Sequence, residues 1–156
     1  MHKLLYLLSM SVLAGSLFAA DPLAGTWKLN IAKSKYSAPN KAKELTMVIQ
    51  EQGDNNVLIM KGVAADGSPI SSKLTVLKTG GDDKYSEGGP PAGTSTVVSK
   101  RKADSRILDS TTMRDGKVIG TLHAVVGEDG KTMQVTVKGT DTQGKPYENV
   151  AVYDRQ

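Results

Sequence analysis

Cysteine is absent from the 156-residue chain, which excludes disulfides, thiolate metal sites and cysteine nucleophiles together. Histidine is almost absent: His2 and His123 are the whole complement, and imidazole-based metal or acid/base sites usually need a second convergent group. Large aromatics are scarce too, with one Trp and one Phe beside five Tyr, so any interior must be mainly aliphatic. Strong charge bias is missing. Twenty Lys and Arg against 16 Asp and Glu leave +4, with both signs interspersed, too weak a field to imply a nucleic-acid partner. The length suits one domain and leaves no room for a second core.

One uncharged stretch stands apart. It runs from Leu4 to Ala20 after the basic start at Lys3, and small residues precede Asp21 and Pro22. Interrupted by Ser9, Ser11, Gly15 and Ser16, it falls short of the roughly 20 apolar residues a membrane span needs. It is read as a cleaved secretory signal over residues 1–19, the cut after Ala19 leaving a single domain over 20–156. Without a cysteine to acylate, the expected product is a periplasmic or secreted bacterial protein, without stable membrane insertion and monomeric.

The remainder alternates with a period of two. KTMQVTVK at 131–138 sets Met133, Val135 and Val137 on one face and Thr132, Gln134 and Thr136 on the other, which is strand periodicity. Comparable runs occupy 25–30, 44–52, 57–64, 70–78, 94–102, 105–113, 117–126 and 146–154, about nine strands in all. Turn signals such as Asp66-Gly67, Asp115-Gly116, Asp129-Gly130 and Gln143-Gly144 separate them, so neighbours should pair antiparallel. An open meander leaves two unpaired edges, whereas rolling it up removes both. The expected fold is therefore all-β, an antiparallel up-and-down β-barrel of about 8–10 strands. Two stretches break the rhythm: 31–43, rich in Lys and read as a cover for one mouth, and the Gly- and Pro-rich 79–94, read as a long loop or a gap between strands. A faint repeat aligns 51–69 with 128–146; shared turn punctuation explains it more simply than duplication.

The opening LAGTWKLN at 23–30 resembles the first strand of the calycin superfamily, the lipocalins and fatty-acid-binding proteins, whose G-x-W pattern is matched by Gly25-Thr26-Trp27. The ending NVAVYDRQ is similar to the R-x-Y-E-[KR] close of fatty-acid-binding proteins. The GTWKLN, AKSKYS and DGKTM segments also resemble small exported lipocalin-like proteins of soil bacteria. The resemblance implies a barrel closed at one end by Trp27, with Tyr147, Asn149, Ala151 and Tyr153 facing the lumen from the last strand. Ala151 stands where the family arginine binds a ligand carboxylate, so that route to a fatty acid lacks its cation here.

Other cations are candidates for the missing one. Arg101 and Arg106 lie on adjacent expected strands, and each reads as an inward cation or as a solvated surface group. His123 shares a strand face with Ile119, Thr121 and Val125 and reads as structural or external more readily than catalytic. The glycine-rich 88–93 precedes a strand rather than a helix, so it offers no phosphate loop. No G-x-S-x-G elbow supports a hydrolase. The functional expectation is a non-enzymatic carrier, without a cofactor, of a small apolar or amphipathic ligand. Its lining candidates are Trp27, Tyr36, Arg101, Arg106, His123, Met133, Val135, Val137, Tyr147, Asn149 and Tyr153, with Tyr36 placed to close the mouth from above. Two rivals stay open: a filled barrel acting as an inhibitor or interaction module through its loops, and an isomerase or cyclase using Tyr or Arg inside the barrel.

Overall fold

The computed structural model describes residues 20–36, 41–88, 96–101, 105–141 and 143–156; the expected signal segment and its cut lie outside them. The described residues form eleven strands: β1 (Gly25–Tyr36), β2 (Ala42–Gln52), β3 (Asn55–Ala64), β4 (Pro69–Leu77), β5 (Gly81–Asp82), β6 (Lys84–Glu87), β7 (Thr96–Lys100), β8 (Ile107–Arg114), β9 (Lys117–Val126), β10 (Thr132–Thr140) and β11 (Pro146–Arg155). Every pairing is antiparallel. The order runs β5-β7-β8-β9-β10-β11-β1-β2-β3-β4-β6. Its two ends are one continuous piece of chain, because β5 and β6 are separated only by Asp83. Residues 81–87 therefore pair first with β7 and then with β4. This kinked strand joins the two edges and closes the barrel, removing the exposed hydrogen-bonding rims an open sheet would carry.

That closure corrects one expectation. The stretch 79–94 is not simply a loop or gap, since its first half supplies the joining strand; residues 89–95 lie outside the description. A second correction concerns 31–43. Residues 31–36 continue β1 instead of forming a lid. Pairing with β11 jumps from Asn30↔Val152 to Lys35↔Val150, so extra residues loop out of the ladder. The hydroxyl of Ser34 spans the break, donating to Asn30 O at 2.7 Å and accepting from Val152 N at 2.9 Å. A side chain thus takes over the hydrogen bonding that the bulge removes from the backbone.

Turn chemistry sets the register elsewhere. Arg114 pairs with Lys117 across the two-residue loop Asp115-Gly116, and both loop residues have positive φ, 49° and 74°. This is the left-handed geometry whose twist matches the flanking strands, and Asp-Gly suits it. With register fixed, alternate residues of each strand face inward. Trp27, Leu29, Met47, Ile49, Val126, Met133, Ala151 and Tyr153 meet there with Leu23 as the main buried cluster. Its members come from β1, β2, β9, β10 and β11 and from the segment leading into β1, so the core lies toward one pole of the barrel.

Candidate functional site

The pole beneath Trp27 is closed by the chain preceding β1. Leu23 is 2% exposed and Trp27 wholly buried, and the indole Nε1 donates to Leu23 O at 2.9 Å. The Arg155 guanidinium lies 4.1 Å from the centroid of the Trp27 ring. It also donates to the carbonyls of Ala24, Pro22 and Gly130 at 2.5, 2.7 and 2.6 Å. One planar cation thereby stacks on the aromatic and satisfies three carbonyls that have no strand partner. Gly25, at φ 140°, permits this approach: a Cβ there would stand 2.4 Å from Arg155 Nη1.

A buried ion pair finishes the plug. Arg101 grips Asp21 with two bonds, Nη1 to Oδ2 at 2.5 Å and Nη2 to Oδ1 at 2.6 Å, both side chains being essentially inaccessible. Asn56 Nδ2 and Leu23 N add bonds to the same carboxylate at 2.8 Å each. Burial pushes the Asp21 carboxyl up, but the donors from Arg101, Asn56 and Leu23 prevail and hold it below its ordinary value. Arg101 also donates to Ser105 O, so its guanidinium is committed on both sides. The Asp21 amide itself donates to Glu51 Oε1, 2.7 Å away, whose other oxygen pairs with Lys78 at 2.7 Å.

Above the plug the inward rows can be followed through the pairing. One passes from Tyr36 to Asn149, Val137, Leu122, Ser110 and Ser99. The parallel row nearer the pole joins Leu29, Tyr153, Met133 and Val126. Met133, Tyr153 and Asn149 are buried, whereas Tyr36, Val135, Val137 and Tyr147 are half-buried. Leu45, Leu58, Met60 and Leu122 face inward on their strands and are half-buried as well. Tyr36, Leu45, Leu58, Met60 and Val135 pack against the buried cluster while keeping partial exposure. Burial is therefore complete at the Trp27 pole and partial above it.

The candidate residues therefore divide. Trp27, Met133 and Tyr153 belong to the packed floor, and Asn149, Val135, Val137 and Tyr147 climb the wall. Tyr36 stands in the wall at the end of β1, opposite Asn149, rather than above the mouth. Burial raises the phenols of Tyr36 and Tyr153, the latter strongly, with Tyr36 adding to it; both stay neutral donors in the lumen. Arg101 points inward but is held in the plug. His123 sits on the outer wall, where its Nδ1 lies 2.6 Å from Asp109 Oδ1 and both are more than half exposed. Arg106 is likewise at the surface, 3.7 Å from Glu128. Neither lines the lumen.

A polar line on the opposite wall was not visible in the sequence. Asp83, between β5 and β6, donates its amide to Val97 O at 2.9 Å. Its Oδ1 accepts from Ser99 Oγ at 2.7 Å, and Ser99 Oγ lies 2.8 Å from Ser110 Oγ. Burial first, and the like charge of Asp82 after it, overcome the Ser99 bond and push Asp83 up to about 6. Tyr85, two residues on, opposes the inward Leu74, so Asp83 and Tyr85 share the lumen face. Among the described residues no group of three or more His, Asp or Glu is gathered as a metal site.

A scan against models of protein families found no match, and a search of curated proteins found none. Among solved structures, lobster apocrustacyanin A1 is similar over 88% of this chain at 12% identity, with a TM-score of 0.45. The chain spans 63% of that protein's length. EF1p2_mFAP2b, in a structure bound to DFHBI, is similar over 88% of this chain and 97% of its own at 12% identity, with a TM-score of 0.46.

Proposed function

We propose that this protein is an exported, non-enzymatic carrier that holds a small apolar or amphipathic molecule in the upper lumen of its barrel. One observation carries the reading: Leu45, Leu58, Met60, Leu122, Val135 and Val137 face inward from four strands and keep partial exposure. A solidly filled barrel would bury them. Apolar surface left wet inside an enclosure gains about 25 cal/mol for each Å² that a ligand covers. Tyr36 and Tyr147 supply phenol hydroxyls near the mouth for orientation. The resemblance of Gly25-Thr26-Trp27 to the calycin opening supports the same use of the fold, and the uncharged Leu4 to Ala20 stretch supports export.

Titration with the neutral fluorophore N-phenyl-1-naphthylamine tests the carrier reading. Saturable enhancement is expected for the native chain and for His123→Trp, which adds bulk to the outer wall. Val135→Trp, which fills the lumen, should weaken binding by about tenfold or more, equivalent to about 1.4 kcal/mol. Absence of saturable binding, or equal binding by Val135→Trp, overturns the proposal.

A further inference from the structure

Resting on that carrier reading, we infer that Asp83 anchors the ligand and that the ligand is an amphiphile with a protonated amine at its head. The carboxyl stands where the closing strand changes partners, and the register turns it inward beside Val97, on the same face as Tyr85, which opposes Leu74. Among the described residues, only one side of it is tied. Oδ1 accepts the Ser99 hydroxyl, and Ser99, 1% exposed, meets the Ser110 hydroxyl, so the two serines form a buried brace behind the acid. No hydrogen bond from a described residue reaches Oδ2. A half-desolvated carboxylate with one fixed and one open oxygen is a ready acceptor for a charged N–H donor.

Charge around the lumen selects the same sign. The deep cation that could receive an anionic head, Arg101, is held by both oxygens of Asp21. Arg114, inward near the mouth, is half-buried and has an interaction of its own. Lys84, beside Asp83, is exposed and points to the outer face. Asp82 adds negative charge next to the site and is itself exposed. A ligand carboxylate would therefore enter an apolar space that offers an acid and no uncommitted cation among the described residues. An ammonium would find a partner, and its alkyl or aromatic body would rest against Leu74, Val97 and Tyr85.

The brace also explains the geometry of recognition. If Ser99 points its hydrogen at Oδ1 and accepts from Ser110, the Asp83 rotamer is set before a ligand arrives, so little side-chain freedom is lost on binding. Burial and the Asp82 charge raise the Asp83 titration more than the single Ser99 bond lowers it. A bound ammonium would lower it again.

Displacement of bound N-phenyl-1-naphthylamine at pH 7.5 by dodecylamine, dodecanol and dodecanoate tests the inference, in the native chain and in Asp83→Asn. The native chain should prefer the amine over the alcohol by about tenfold or more, with the carboxylate weakest. In Asp83→Asn the amine should fall to within about twofold of the alcohol, which should bind as before. Dodecanoate matching the amine in the native chain, or an amine preference that survives Asp83→Asn, overturns the head-group assignment while the carrier reading stands. Failure of all three amphiphiles to displace the fluorophore overturns both. The ranking in the native chain decides the matter even if Asp83→Asn does not fold.

Discussion

Two acids are turned into the same barrel, and they are treated in opposite ways. Asp21, at the closed pole, receives two bonds from Arg101, one from Asn56 and one from the Leu23 amide, and it titrates below its usual range. Asp83, on the lumen wall, receives one hydroxyl and titrates near 6. The difference separates a group that holds the fold from one that the fold has to support. A buried charge with all its partners locks the plug under Trp27. A carboxylate left half-satisfied is where a native structure usually keeps something for function.

The largest break in this comparison comes at the plug. Arg101→Ala would strand the Asp21 carboxylate in a dry site, an error worth about 3–5 kcal/mol. Urea or thermal unfolding should register that loss, and the double variant Asp21→Ala with Arg101→Ala should recover part of it by removing the stranded charge. A full-sized destabilisation in the double variant would show that packing, not the ion pair, is at stake. Acid should imitate the single variant. Because folding lowers the Asp21 titration below 3.8, its contribution is present above that pH and fades as pH falls through the folded value. The native chain should lose stability on acidification below about pH 4, and Asp21→Asn should lack this component.

How far these features could be read from the sequence follows from what each depends on. The alternation in KTMQVTVK places Met133, Val135 and Val137 on one face, and β10 presents them inward. Trp27 sits at the closed pole, where the G-x-W resemblance places it. Asp115-Gly116 makes its hairpin because the needed φ values are local. The joining strand at 81–87 was not legible: Gly80-Gly81-Asp82-Asp83 reads as a turn, and only the two edges it meets make it a strand. Arg101 and Asp21 are 80 residues apart, and no local pattern announces their pairing. Asp83 was missed for the same reason, since an acid beside another acid looks solvated until the barrel closes around it. Strand periodicity also leaves His123 ambiguous between inside and outside; the register with Asp109 puts it outside.

A smaller and opposite effect should appear at Asp83. Folding raises its titration from 3.8 to about 6, so the native state binds this proton more tightly than the unfolded chain does. Stability from this group is complete below about pH 3.8 and is lost as pH rises through about 6. That interval corresponds to about 3 kcal/mol at most, and solvent at the half-buried carboxyl reduces the expected effect to about 1–2 kcal/mol. Asp83→Asn, which keeps an acceptor for Ser99 and removes the charge, should therefore stabilise the chain at pH 7.5 by about that amount and lose its advantage near pH 4. Denaturant midpoints at the two pH values measure it. The groups that act on the Asp83 carboxyl are the Ser99 hydroxyl and the like charge of Asp82, with Tyr85 beside it on the same segment. Its folded value stands near 6, so a gain that follows that window belongs to it. A variant that destabilises equally at both pH values would make the acid a plain structural bond to Ser99. One that stabilises while erasing the preference for amines would mark a residue kept at a cost to the fold.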